Sequence, residues 1–186
     1  MIPAAPIRVP ADPLPRPQRV NVMQGQTQVT RDDRIELTTV LGSCIACCLF
    51  DPLARVGGMN HFLLAEPSGT TSGIDEHYGV YLMEVLINAM LAQGAGRGTL
   101  RAHLYGGADM HHGLTRIGSA NADFAVQFLR RERIALVRSM VGGASARRVD
   151  FRAARGQARC HVIEEPLARF PLTPHRLETR GDVELF

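Results

Sequence analysis

The chain contains no lysine and no tryptophan, and aromatic residues make up only 5% of it. All 21 of its cationic side chains are therefore arginine. Guanidinium forks suit carboxylates and amides better than ammonium groups do. Nine arginines fall between Arg130 and Arg159, against Glu132 and Asp150, but Phe151 is the one aromatic residue among them. That thin aromatic interleaving speaks against a nucleic-acid partner. A solvated face is the first reading of the segment, and a docking face for an acidic protein partner is the second. No run of eighteen apolar residues occurs, so no membrane insertion is expected. The start of the chain lacks the charged-then-apolar pattern of a secretory signal. The four cysteines, Cys44, Cys47, Cys48 and Cys160, are too clustered for a disulfide framework, which fits a reducing cytoplasm.

What is present is enough chain, 186 residues, to bury one real core. Ile35 to Leu41 is a β-branched and apolar run of strand length, broken by Gly42 and Ser43. Cys44 thus follows a strand end on a sharp turn, where a thiol lies exposed at its sulfur beside free backbone N–H groups. A second strand-like run, Gly57 to Leu64, carries His61. Cys44 and His61 are the candidate thiolate–imidazole pair. Two plainer readings stand beside this one. A free cysteine usually packs as a small hydrophobe, and a lone histidine in an apolar strand is commonly a satisfied core residue. Cys44 and Cys47 also form a C-x-x-C, but a single pair lacks the four-ligand spacing of a zinc site. The adjacent His111 and His112 diverge on either a strand or a helix. No metal and no organic cofactor is expected.

Six prolines within residues 1–18 predict a disordered or extended leader. Arg19 to Gln24 reads as an edge strand and the polar stretch Thr27 to Asp33 as a loop. Ile45 to Phe50 reads as a buried strand ended by the Asp51-Pro52 turn. Glu66 to Asp75 reads as a surface loop. Tyr78 to Gln93 reads as a helix stopped by Gly94. Its apolar residues, Val80, Met83, Leu86, Ile87, Met90 and Leu91, cover most of its circumference, which predicts burial against a sheet. Leu100 to Tyr105 is a further strand. A second helix, capped by Ser119 or Asn121 and running to about Arg133, is amphipathic through Phe124, Phe128 and Leu129. Ile134 to Val141 is a strand, and Arg148 to Ala153 with Ala158 to Ile163 form a hairpin. The proline-bearing tail, 164–186, is expected to wrap the surface, with a short edge strand at Val183 to Phe186. Together these elements predict an α+β fold, a layered α/β sandwich with a mixed sheet, rather than a doubly wound parallel one.

Leu41-Gly42-Ser43-Cys44 followed by Gly57-Gly58-Met59-Asn60-His61-Phe62-Leu63-Leu64 resembles the CheD family, the chemoreceptor glutamine deamidases of bacterial chemotaxis. Further matches follow in order: Leu86 to Met90, Tyr105 to Met110, Ile117-Gly118 with Asn121, Phe124 to Arg131, Val141 to Gly143, and Arg148 to Phe151. The resemblance spans roughly residues 19–163, taken as the domain. It implies a cysteine-hydrolase fold like that of bacterial toxin deamidases. It also implies a Cys–His–Thr constellation of Cys44, His61 and a threonine shortly before the cysteine. Spacing puts that threonine at Thr38, with Thr39 as the rival, since strand neighbours face opposite ways. Gly42 and Ser43 are expected to support an oxyanion hole. The implied reaction converts receptor glutamines to glutamate, and the same apparatus could cleave a glutamyl methyl ester. The implied partners are a chemoreceptor cytoplasmic domain and a CheC-type phosphatase. The alternative is a non-catalytic adaptor that binds either. Three positions depart from the family pattern: Ala65-Glu66-Pro67 after the histidine strand, Ala146 before the arginine, and Arg133 where a helix-ending glycine is common.

Overall fold

A computed structural model describes residues 17–64, 76–110 and 116–163. Expectations for the leader up to residue 16, the loop 65–75, His111 with His112, and the tail 164–186 fall outside the described residues.

The strands are β1 (Gln18–Asn21), β2 (Thr27–Thr30), β3 (Ile35–Leu41), β4 (Ile45–Asp51), β5 (Val56–Phe62), β6 (Arg101–Gly106), β7 (Ala135–Val141), β8 (Arg147–Arg152) and β9 (Gln157–Val162). The helices are α1 (Glu76–Ala92) and α2 (Ile117–Arg131). A four-stranded sheet has the order β1-β3-β8-β9, and a five-stranded sheet has the order β2-β5-β4-β6-β7. The β1–β3 and β6–β7 pairs are parallel and the others antiparallel. The mixed-sheet, layered α+β architecture expected from the order of elements is the one observed.

Two cores follow from strand alternation. On β4, Ile45, Cys47 and Leu49 face the helices, where they join Met83, Leu86, Ile87, Phe124 and Phe128. Ala46, Cys48 and Phe50 face the other way, into a second core with Leu37 and Leu41 of β3, Met59 of β5 and Phe151 of β8. The five-stranded sheet is thus covered on both faces, which is why all seven residues of β4 and of β5 are buried.

Three local expectations are corrected. Thr27 to Thr30 is a strand, not a loop. It pairs antiparallel with β5, with Val29 opposite Gly58. A Cβ on Gly58 would come within 2.6 Å of the Val29 side chain, so the missing side chain lets this polar edge strand approach. Helix α1 does not bury its whole circumference: Met83, Leu86, Ile87 and Met90 are fully buried, but Val80 and Tyr81 are exposed. Helix α2 begins at Ile117, so Ser119 lies inside its first turn rather than at a cap. The Ser119 N–H and hydroxyl instead both donate to the Asp109 carboxylate, at 3.2 Å for the N–H. Arg133, which stands where the family commonly has glycine, has a left-handed backbone with φ 55°. That conformation costs about 1 kcal/mol relative to glycine. It is held by Ile134 N–H donating to Leu129 O at 2.9 Å.

The arginine-rich segment is partly consumed within the fold. Arg159 and Arg19 each approach the buried Glu36 carboxylate at 3.1 Å, and Arg155 pairs with Asp33 at 2.8 Å. Arg147 donates to the carbonyls of Met140 and Gly142.

Candidate active site

The chain leaves the four-stranded sheet at Leu41 and enters the five-stranded sheet at Ile45. Gly42, Ser43 and Cys44 make that crossing in three residues. Each of their carbonyls is claimed by a different segment. Ala108 N–H donates to Gly42 O at 2.9 Å, Asn121 Nδ2 to Ser43 O at 3.0 Å, and Gly107 N–H to Cys44 O at 2.8 Å. The turn is therefore held from outside and not by its own short-range bonds. Asn121 is the residue that sequence reasoning misread. It is buried, and its Oδ1 also accepts from Leu64 N–H at 3.0 Å. It bolts the cysteine turn to the end of the histidine strand. No local pattern distinguishes such an asparagine from a helix cap, because both of its partners are distant in sequence.

In the β4–β5 ladder His61 lies opposite Ala46. Cys44, two residues before Ala46 and just ahead of β4, packs against the same core between the sheets. Cys44 is half-buried and His61 is buried, both at the edge of the core between the sheets.

Thr39, not Thr38, meets the imidazole. Thr39 Oγ1 lies 2.9 Å from His61 Nδ1, whereas Thr38 Oγ1 donates to Asp150 Oδ1 at 2.7 Å. The reason is strand alternation on β3: Leu37, Thr39 and Leu41 share the inner face, and Thr38 faces outward across from Asp150. Spacing along the chain favoured the wrong neighbour.

The protons around His61 follow from counting donors. Thr39 Oγ1 also lies 2.8 Å from Val22 O, and His61 Nδ1 lies 3.2 Å from the same carbonyl. A carbonyl only accepts, so the threonine's single proton goes to Val22. Nδ1 must then carry hydrogen and share it between Thr39 Oγ1 and Val22 O. Nε2 is left as the basic nitrogen, and it is buried without a hydrogen-bond partner. The segment behind this arrangement is laced to the same residue by its backbone. Gly25 N–H donates to His61 O at 2.7 Å, and His61 N–H donates to Gln26 O at 3.1 Å.

The Cys44 thiol is turned toward Gln24, donating to its Oε1 at 3.5 Å. Burial pushes the Cys44 thiol up, and its own backbone N–H works in the opposite direction. Burial pulls His61 down, opposed by the bond to Val22 O. Burial thus favours the neutral form of each group. Cys47 lies on the opposite face of the sheet among the helices, so the C-x-x-C does not bring its two sulfurs together. Among the described residues no group of three His, Cys, Asp or Glu side chains could hold a metal ion.

A pH dependence of stability follows. His103, enclosed by Phe50, Tyr105 and Phe151, is also lowered by burial. Both histidines bind protons less readily folded than unfolded, so the stability they protect is complete above about pH 6.5 and is lost as pH falls. The urea midpoint is expected to drop between pH 7.5 and 5.5, before carboxylates titrate. A flat or rising midpoint over that window contradicts the burial of two neutral imidazoles.

A three-layer α+β sandwich with a hydroxyl on an imidazole, and a cysteine on the turn where the chain changes sheets, sets the class within which a cysteine–histidine site is sought. Comparison with known proteins narrows it. Residues 63–162 match the family model described as CheD chemotactic sensory transduction. A relative from Zymomonas mobilis, named "Probable chemoreceptor glutamine deamidase CheD", is 54% identical over 91% of this chain and 93% of its own. One of the same name from Caulobacter vibrioides is 46% identical over 92% of this chain and 95% of its own. The chain belongs to the CheD family. Cys44, Thr39 and His61 all precede the segment matched by the family model. A solved structure of the Neisseria meningitidis protein NMB0706 has a TM-score of 0.46 at 10% identity, covering 70% of this chain and 65% of that one. No helix among the described residues is long and apolar enough to cross a membrane.

Proposed function

We propose that the chain deamidates glutamine side chains of chemoreceptors, as its relatives' names state for them, with Cys44 as nucleophile, His61 as base and Thr39 as the residue that orients the base. The observation that carries the reading is the bare Nε2 of an imidazole whose Nδ1 is tied down by Thr39 and Val22, at the edge of the core that Cys44 packs against.

The thiol gives its proton to Nε2, and the thiolate attacks the carboxamide carbon. The oxyanion forms beside the Cys44 N–H. His61 returns the proton to the departing ammonia, leaving a thioester. Water then loses a proton to Nε2 and attacks the thioester carbon, and the thiolate leaves from glutamate. A glutamyl methyl ester would enter the same path with methanol as the leaving group. The acidic product adds a negative charge to the receptor. The CheC-type phosphatase remains a proposed partner, and the cytoplasm a proposed location.

The test is mass spectrometry of a chemoreceptor cytoplasmic fragment incubated with the protein. A gain of about one dalton at glutamine, from amide to acid, is expected. A fragment that binds the protein but keeps its mass leaves only the adaptor.

The two threonines separate site from scaffold. Thr39→Val leaves Nδ1 with Val22 O alone, and kcat is expected to fall about a hundredfold, within the usual range for a positioned base. Thr38→Val removes one donor from buried Asp150, costing about 1–2 kcal/mol of stability while kcat is kept. Parallel kcat and urea-midpoint measurements on the pair check both halves.

A further inference from the structure

Gln24 has no place in the constellation of cysteine, histidine and threonine, yet its carboxamide is the group that the Cys44 sulfur touches. It stands on the turn between β1 and β2, and that turn is fixed to the site on both flanks. Before it, Val22 O takes the Thr39 hydroxyl and approaches His61 Nδ1. After it, Gly25 and Gln26 clasp the His61 backbone from both directions. Within the turn, Gln26 N–H donates to Met23 O at 3.0 Å, and Gln26 Oε1 accepts from Met23 N–H at 3.0 Å.

We propose that Gln24 is a catalytic residue: its carboxamide N–H is a side-chain donor to the oxyanion formed when Cys44 attacks, opposite the Cys44 backbone N–H. The proposal rests on the reading of Cys44 as an acyl-accepting nucleophile. In the resting site the carboxamide oxygen accepts the S–H. Once the proton has moved to His61, that oxygen faces a negative sulfur and the amide turns its NH2 end inward. An oxyanion lies about 3 Å from the attacking sulfur, and its donors must lie about 3 Å beyond it. A group whose oxygen is 3.5 Å from the sulfur can bring its nitrogen, on the same carbon, into that range. The exposed flank of Gln24 leaves the approach open to a long side-chain amide.

The test separates acyl transfer from plain thiol reactivity. p-Nitrophenyl acetate acylates the thiol through a tetrahedral oxyanion: the S–C bond forms, the thiol proton passes to His61 and p-nitrophenolate leaves. Iodoacetamide alkylates the same sulfur by displacement of iodide, with no oxyanion. For Gln24→Ala the p-nitrophenolate burst is expected to slow about a hundredfold while the alkylation rate stays within about threefold of the parent chain. Gln24→Glu, which keeps the shape but has no donor at neutral pH, is expected to slow the burst at least as much. Equal losses in both reactions would mean that Gln24 only props the turn, and the proposal falls. A rise in alkylation with the burst unchanged would make Gln24 a holder of the thiol proton, and the proposal falls again. A one-dalton gain on Gln24 itself would make it an internal substrate and would overturn the proposal as well. A parent chain that shows the burst but leaves receptor fragments unchanged would overturn the receptor reading and not this one.

Discussion

Cys44→Ala is expected to lower receptor deamidation by about four orders of magnitude or more, with the fold intact. Cys44 is half-buried at a turn whose three carbonyls are held by Ala108, Asn121 and Gly107 through bonds that do not use its side chain. Truncation therefore costs only a modest loss of packing, about 1 kcal/mol, and a melting shift of a few degrees. The chemistry has no substitute. Water must attack an unactivated primary amide, and His61, whose basicity burial has lowered, is left to activate it alone. Cys44→Ser should do little better, because an alkoxide lies far further from reach than a thiolate. A residue acting as one unit with another gives losses that do not add. The double variant Cys44→Ala with His61→Ala should thus be no slower than Cys44→Ala alone. Receptor-fragment mass spectrometry at matched protein concentration reads all three rates. A Cys44→Ala chain that keeps more than about a hundredth of the parent rate would sink the cysteine mechanism.

The layers of the fold could be read from the chain because burial writes itself into strands. β3, β4 and β5 are apolar at strand length, and the two helices end at glycine or at a positively twisted residue in its stead. The cysteine turn was visible for the same reason, as a break between two such runs. What escaped was lateral pairing. β2 is short, polar and at an edge, and it reaches β5 where Gly58 leaves room for Val29. Which threonine faces the imidazole depends on which face of β3 looks at the second sheet, and one residue of phase reverses the answer. The place of Gln24 and Asn121 at the site escaped, Asn121 having been read as a helix cap. Each acts on the Cys44 turn from a distant segment, and a contact 20 or 78 residues away leaves no periodicity to detect.

The same dependence on distant segments makes the buried Gly106 the most vulnerable point of the site. Gly106→Ala is expected to destabilise the chain by about 3–5 kcal/mol and to remove activity even in the fraction that stays folded. Its φ is +109°, a region closed to residues with a Cβ. That strain alone costs about 1–3 kcal/mol. The added methyl would also fall 2.0 Å from Cys44 O, well inside contact distance. Backbone is what it meets, so no side chain can swing aside. Either β6 retreats and the Gly107 N–H bond to Cys44 O is lost, or the turn retreats and carries Cys44 with it. A typical domain has about 5–15 kcal/mol in hand, so the variant should remain largely folded in buffer and the two effects can be measured apart. Urea unfolding gives the stability. Iodoacetamide labelling of Cys44 in the folded fraction gives the placement of the sulfur. A Gly106→Ala chain with a parental urea midpoint and parental deamidation would show that Cys44 O and Gly106 are not as close as their ladder partners require.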